Sequence, residues 1–260
     1  MMVIFMKNIN FLKENLIAHR GYHDESLKIP ENSMPAFKRA IENNYIIELD
    51  VHLLKDGNIV VFHDDDLKRM TNLEKNLKDT TYEEIQNLKL NNTENKIPLL
   101  SEVLDLVKDR VPIIIELKTD LKTGKLETKL MEILKRYKGR FAVKSFNPLS
   151  VYWFKKNYPD IVRGQLAEDF KNNNMCFIKK KILSNMWFNI ISKPDFISYN
   201  IESMPNNLVE KYRKKHIVLG WTVRNKVQYE KGKKYCDNLI CENFEQYIKH
   251  DDKVNDIIKT

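Results

Sequence analysis

Eight short apolar runs recur along this 260-residue chain, and stretches with helical periodicity separate most of them. The runs cover residues 16–18, 46–51, 113–115, 141–143, 161–166, 196–199, 217–223 and 239–241, and the helical patterns cover 34–43, 126–137, 149–157, 207–214 and 225–234. Alternation of this kind predicts an α/β fold with a parallel sheet. A doubly wound open sheet shares the pattern, but eight strand–helix units in about 260 residues match the count and size of a (β/α)8 TIM barrel. We therefore expect one barrel domain spanning residues 1–260.

A ninth strand-like run, residues 59–62, interrupts the alternation. It follows Asp56-Gly57, a strong signal for a short hairpin. With these two residues as the loop, Asp50 lies directly across from His63, and cross-strand partners point to the same face. We therefore predict a β-hairpin after the second strand. The polar residues 64–98, with a helix-like segment at 82–88, are predicted to form a small insertion over the carboxyl-terminal face of the barrel.

The overall composition narrows the expected binding partners and the expected cellular compartment. Lysine and arginine outnumber acidic residues 44 to 36, and the net charge of +8 favours anionic partners such as phosphate esters. Nucleic acid is not expected, since basic residues do not cluster with aromatic ones. The three cysteines have no CxxC spacing, which is typical of reduced thiols. No stretch approaches the length of a membrane span, so we expect no stable membrane insertion and a soluble, cytoplasmic protein.

Three carboxylates are placed at the ends of neighbouring predicted strands. Glu48 and Asp50 are two positions apart, so both side chains face the same way, and Glu116 ends the next strand. Inside a barrel these groups would repel one another without a cation between them. Oxygen ligands suit Mg²⁺ or Ca²⁺ better than zinc, so we predict a divalent metal site. The alternative is a half-exposed strand with its polar residues turned to solvent.

Two histidines follow predicted strand ends and adjoin charged residues: His19 precedes Arg20, and His63 precedes Asp64. Because histidine exchanges protons near neutral pH, both are candidates for general acid–base catalysis. Arg20 offers a planar positive fork for a phosphate. Together with the carboxylates, these residues suggest metal-assisted cleavage of a phosphate ester.

Two further residues have more than one interpretation. Lys118 faces the same way as Glu116, so it either forms an ion pair or supplies a positive charge to the phosphate. Trp221 either packs on the carbon skeleton of a substrate or belongs to the core. Both are retained as candidate substrate-binding residues.

Eight motifs occur in an order that resembles bacterial glycerophosphodiester phosphodiesterases. They are His19-Arg20-Gly21, Pro30-Glu31-Asn32-Ser33, Glu48-Leu49-Asp50-Val51, Asp56-Gly57, Val60-Val61-Phe62-His63-Asp64, Ile115-Glu116-Leu117-Lys118, Ser145-Phe146 and Trp221-Thr222-Val223. The resemblance runs from about residue 16 to 245. It implies a TIM barrel that hydrolyses glycerophosphodiesters to glycerol 3-phosphate and an alcohol. It also implies a divalent metal at Glu48, Asp50 and Glu116, acid–base roles for His19 and His63, and phosphate contact by Arg20.

The chain departs from the family pattern after the last strand, where an acidic residue and proline are usual and Cys241-Glu242-Asn243-Phe244 stands instead. Two other functions stay open: a related barrel phospholipase acting on lysophospholipids, and a catalytically inactive barrel used for binding. The alcohol headgroup, the identity of the metal, the oligomeric state and the division of acid and base roles are not determined by these residues.

Overall fold

Apolar, often β-branched runs form nine strands in a computed structural model that describes residues 7–119, 122–171 and 176–243. The strands are β1 (Ile17–Ala18), β2 (Ile46–Leu53), β3 (Ile59–Val61), β4 (Ile113–Leu117), β5 (Phe141–Ser145), β6 (Arg163–Ala167), β7 (Phe196–Asn200), β8 (Ile217–Val223) and β9 (Asn238–Cys241). Each predicted apolar run coincides with one of these strands. The predicted strand positions are therefore confirmed.

Eight of the strands close into a parallel ring. The hydrogen-bonded order is β1-β9-β8-β7-β6-β5-β4-β2, and β1 pairs with β2 to complete it, with Ile17 beside Ile46. Side chains alternate between the inside and the outside of the ring. Ile46 packs inside on the floor of the barrel, whereas Ile47 and Leu49 pack outside beneath the helices. The (β/α)8 barrel is therefore confirmed.

Helices cover the outside of the ring. The α-helices are α1 (Met34–Glu42), α2 (Lys68–Thr71), α3 (Tyr82–Ile85), α4 (Leu100–Val107), α5 (Lys125–Leu134), α6 (Pro148–Asn157), α7 (Phe177–Ser184), α8 (Asn189–Ser192), α9 (Asn207–Arg213) and α10 (Lys226–Tyr235), and short 3-10 helices lie at Asn10–Lys13, Glu25–Leu27, Leu77–Asp79, Leu90–Asn92 and Ile201–Ser203. Ser33 caps α1 through its side chain, with a proline in the first turn. No helix in the described ranges is long and apolar enough to cross a membrane.

The hairpin forms, but its predicted register is wrong by one residue. β3 runs antiparallel to β2 with Val51 opposite Val61, and the amide of Phe62, rather than that of His63, donates to the carbonyl of Asp50. The loop has three residues instead of two, because Leu54 and Asn58 still pair across it. Gly57 lies in the left-handed region at φ +87°, as expected where a three-residue loop ends in a bulge.

The insertion after β3 has a small core of its own. Six buried apolar side chains from it pack against Leu54, Val60 and Phe62 of the hairpin: Leu67, Met70, Leu77, Ile85, Leu90 and Ile97. The chain then returns to the barrel beside β3, where the amide of Val61 donates to the carbonyl of Pro98. This packing holds the insertion against the hairpin, near the carboxyl end of β2.

Candidate active site

A cavity of about 170 Å³ opens where the parallel strands end. Its lining residues are His19, Arg20, His63, Glu116, Lys118, Lys144, Phe146, Leu166, Asn200, Glu202, Trp221, Thr222 and Arg224. The carboxyl ends of barrel strands are where side chains from several strands can converge on one ligand. Most of the candidates predicted from the sequence therefore meet at this one opening.

Strand register brings the three predicted carboxylates together beneath the cavity. Asp50 pairs with Glu116 across β2 and β4, and Glu48 precedes Asp50 on the same face. Ligand oxygens of the three groups lie within 4.8 Å of one another, and all three residues are buried. Such a cluster of oxygen donors is compact enough to coordinate one divalent cation.

Cationic side chains offset these negative charges. The Lys118 Nζ lies 2.5 Å from Glu116 Oε1 and 3.0 Å from Asp50 Oδ1, so its ion-pair role is realised. Lys144 Nζ lies 2.8 Å from Glu48 Oε1 and 3.4 Å from Glu116 Oε2. Burial alone would raise the pKa of Asp50, but the charges of Lys118, His63 and Arg20 hold it well below its ordinary range.

Arg20 is fixed by two carboxylates and a strained backbone. Its Nη1 donates to Glu31 Oε1 at 2.9 Å, and its Nε lies 3.6 Å from Asp50 Oδ2. The residue has a φ of +53°, which is unusual for a side chain of this size. That conformation directs the Arg20 amide to Glu48 Oε2 at 3.0 Å, so one residue contacts two members of the carboxylate cluster.

Asn32 also holds Asp50, from the loop before α1. Its Nδ2 donates to Asp50 Oδ2 at 2.9 Å, and its own amide donates to the carbonyl of Arg20 at 2.8 Å. The side chain is 2% exposed and the residue lies in the left-handed region at φ +52°, where asparagine is favoured among non-glycine residues. The loop before α1 therefore orders the carboxylates directly.

His19 is held by an acidic residue at the opposite end of the sequence. Its Nδ1 lies 2.5 Å from Glu242 Oε1, and Arg224 donates to the same carboxylate at 2.9 Å. Burial would raise the pKa of Glu242, but the hydrogen bond and charge of His19, together with Arg224, lower it to about 2. Because an ionised carboxylate can only accept, His19 Nδ1 must carry a proton, and Nε2 is the nitrogen free to exchange one.

His63 has the same arrangement on the other side. Its Nδ1 lies 2.7 Å from Asp64 Oδ1, and Arg69 Nε donates to Asp64 Oδ2 at 2.6 Å. Burial would raise the pKa of Asp64, but the hydrogen bonds from His63 and Arg69 hold it far below its ordinary range. Arg69 comes from the insertion and also donates to Glu31 at 2.6 Å, so it links the His63 and Arg20 groups.

Aromatic rings form the apolar part of the opening. Trp221 and Phe146 pack edge to face with ring centroids 5.5 Å apart, and both line the cavity. Trp221 also touches the floor cluster of the barrel. The two interpretations of this tryptophan from the sequence therefore do not exclude one another.

Four contributors to the site were not predicted from the sequence: Lys144, Glu242, Arg69 and Arg224. Lys144 carried a readable signal, since it is a charged residue in an apolar strand at the position that pairs with Glu116. Glu242 directly follows the last strand, as His19 directly follows the first. The loop containing Glu242 was expected to depart from the family pattern, and its Phe244 lies outside the described residues.

Comparison with known proteins gives one family. The model of the glycerophosphoryl diester phosphodiesterase family matches residues 19–246. A glycerophosphodiester phosphodiesterase of Caldanaerobacter subterraneus is 40% identical over 169 residues, which are 60% of this chain and 68% of that protein. A human relative named lysophospholipase D is 35% identical over 144 residues, which are 50% of this chain and 44% of the relative.

Solved structures agree with the fold. The glycerophosphodiester phosphodiesterase of Thermotoga maritima superposes with a TM-score of 0.68 at 28% identity. The match covers 88% of this chain and 94% of that one. The barrel described above is thus the fold of a solved family member.

Proposed function

Since the chain belongs to the glycerophosphoryl diester phosphodiesterase family, we propose that it hydrolyses glycerophosphodiesters to glycerol 3-phosphate and an alcohol, with His19 and His63 as general acid and base. The observation that carries this proposal is the pair of histidines, each held at Nδ1 by an ionised carboxylate beside one cavity. Each histidine then exchanges protons through Nε2. One removes the proton of the attacking hydroxyl or water, and the other protonates the leaving oxygen.

Glu48, Asp50 and Glu116 are proposed to hold a divalent metal. Glu48 Oε1 and Asp50 Oδ1 are buried and accept no hydrogen bond of good geometry, although a lysine Nζ lies within 3.0 Å of each, so a bound cation would take the place of these ion pairs. Carboxylate oxygens suit Mg²⁺ or Ca²⁺, and both cations stay in the proposal. When bound, the cation would neutralise charge on the phosphate oxygens and polarise the attacking hydroxyl or water.

Substrate contacts follow from the residues around the metal ligands. Arg20 and Lys118 line the cavity with positive charge, which suits the single negative charge of a phosphodiester. Trp221, with Phe146 against it, offers an apolar surface for the glycerol carbons. The substrate is thus a small molecule, and neither nucleic acid nor a lipid bilayer is required.

The rest of the protein fits the same proposal. We propose that residues 1–260 act as one domain in which residues 64–98 contribute Arg69 to the site. Cys176 and Cys236 are free thiols, which supports a reducing, cytoplasmic compartment.

A second candidate substrate is lysophospholipid, because the human relative is named lysophospholipase D. The two substrates differ in whether an acyl chain must be accommodated beside the glycerol. Comparing turnover of glycerophosphocholine with that of lysophosphatidylcholine separates them. The proposal requires faster turnover of glycerophosphocholine.

The main test measures glycerol 3-phosphate release by purified enzyme in the presence of Mg²⁺ or Ca²⁺, with and without EDTA. We expect EDTA to abolish activity and either cation to restore it, and His19→Ala or His63→Ala to lower kcat at least 10³-fold. His216→Ala is the matched control, because His216 does not line the cavity. Wild-type turnover by His63→Ala, or activity indifferent to chelation, contradicts the proposal.

A further inference from the structure

Lys144 is the most deeply buried cation at the site. It lies on β5 beside Glu116 of β4, and its side chain is 2% exposed. Its Nζ sits between two proposed metal ligands, 2.8 Å from Glu48 Oε1 and 3.4 Å from Glu116 Oε2. A lysine is rarely buried to this extent without paired charges, so the two carboxylates are part of what keeps it there.

The three proposed metal ligands already have cationic partners before any metal binds. The negative charges come from Glu48, Asp50 and Glu116. The positive charges come from Lys118, Lys144 and Arg20, each of which lies within 4.0 Å of at least one of those carboxylates. Each carboxylate of the cluster thus has a cationic partner without a metal, and a divalent ion adds two further positive charges beside these partners.

The two lysines differ in how freely they can move. The Lys118 side chain is 17% exposed, so its ammonium can turn toward solvent when a cation arrives. The Lys144 side chain is 2% exposed and lines the cavity, so its ammonium has much less access to solvent than that of Lys118. Repulsion between its ammonium and a nearby divalent cation is therefore difficult to relieve in a water-poor interior.

We propose that the Lys144 ammonium occupies the coordination space shared by Glu48 and Glu116 and weakens divalent cation binding, so that the metal binds by displacing Nζ from both carboxylates. The inference rests on the metal site of the proposed function. It assigns Lys144 the role of a positioning residue, which keeps the carboxylates in place in the metal-free protein and makes the bound metal readily exchangeable.

The test measures Ca²⁺ and Mg²⁺ binding by titration calorimetry on chelator-treated protein. Lys144→Gln removes the charge but retains a hydrogen-bond donor, and Lys144→Met is a second neutral variant of similar length. We expect either variant to bind at least tenfold more tightly than the wild type, equal to about 1.4 kcal/mol. Lys144→Arg, which keeps the charge, should stay within threefold of wild type.

A matched control carries the same charge change in an ion pair away from the cavity. Lys7 pairs with Asp195 at 2.7 Å, just before β7 begins, so Lys7→Gln should leave metal affinity unchanged. Melting temperature provides a second readout without turnover. The metal-free Lys144→Gln protein should melt lower than the wild type and gain more on adding CaCl2, because tighter binding stabilises the folded state more.

The outcomes separate this inference from the metal site itself. Equal or weaker binding by the neutral variants, while the wild type binds, overturns the role of Lys144 and leaves the metal site intact. Absence of binding in every protein overturns both. A wild-type dissociation constant for Ca²⁺ of about 10 nM or less also overturns the inference, since it lies at the tight end of protein Ca²⁺ sites and leaves no weakening to explain.

Discussion

Replacing Glu242 by glutamine tests how much the partner of His19 contributes to catalysis. The carboxylate accepts from His19 Nδ1 at 2.5 Å and from Arg224 at 2.9 Å. Glutamine has a similar shape but carries no charge, so it cannot stabilise a protonated His19. Its amide can also donate toward Nδ1, which would favour the wrong tautomer of the imidazole.

The size of the effect follows from the pKa of Glu242. Burial opposes ionisation, yet the His19 hydrogen bond and the charges of His19 and Arg224 bring the pKa to about 2. Relative to an ordinary value near 4.5, this corresponds to about 3 kcal/mol in favour of the carboxylate. Arg224 supplies part of that energy, so we expect Glu242→Gln to lower kcat about 10- to 100-fold.

The assay follows glycerol 3-phosphate release from glycerophosphocholine at saturating metal. Because Glu242 touches His19 and is not itself among the cavity-lining residues, kcat should fall while KM changes less than threefold. Glu242→Asp should recover part of the loss. Glu14→Gln, which removes a carboxylate paired with Arg140 outside the site, is the control, and a Glu242→Gln enzyme within twofold of wild-type kcat refutes the reasoning.

Three further predictions concern the groups that hold the site. Arg69→Gln should lower kcat about tenfold with an unchanged melting temperature, since Arg69 holds Asp64 from a half-exposed position; an unchanged kcat contradicts this. Asn32→Gly keeps the left-handed backbone but removes the hydrogen bond to buried Asp50, so urea unfolding of the metal-free protein should show a loss of about 1–3 kcal/mol. Acid unfolding should show how much Glu242 contributes to stability. Its folded-state pKa is lowered to about 2, so the stabilisation is complete above about pH 4.5 and disappears as the pH falls toward 2. Glu242→Gln should therefore flatten the plot of unfolding free energy against pH across that interval.

Local sequence pattern was enough to predict the barrel and most of the cavity. Ile46, Glu48 and Asp50 share one face of β2, and that alternation alone places the two carboxylates above an apolar floor. Glu116 follows from the same alternation on β4. These residues could be assigned to the site because the direction of each side chain depends only on the alternation within its own strand, and neighbouring strands run in parallel.

Contacts made by closing the ring could not be read from the sequence. His19 and Glu242 are 223 positions apart and meet because β1 pairs with β9, where the amide of His19 donates to the carbonyl of Cys241. Arg69 reaches Glu31 because the insertion packs on the hairpin. Neither contact follows from a short-range periodicity of the sequence, so only the assembled fold reveals these partners.

The observed hairpin register shows that contacts outside the β-ladder position His63. A shift of one residue normally moves every side chain to the opposite face of a strand, and His63 should then point away from Asp50. It does not, because β3 ends at Val61 and His63 lies beyond the ladder. Its ring is held instead by Asp64 and Arg69. Since His19 is likewise held by Glu242 and Arg224, carboxylate–guanidinium pairs orient both proposed proton carriers, and substitutions there should reduce catalysis while leaving the barrel folded.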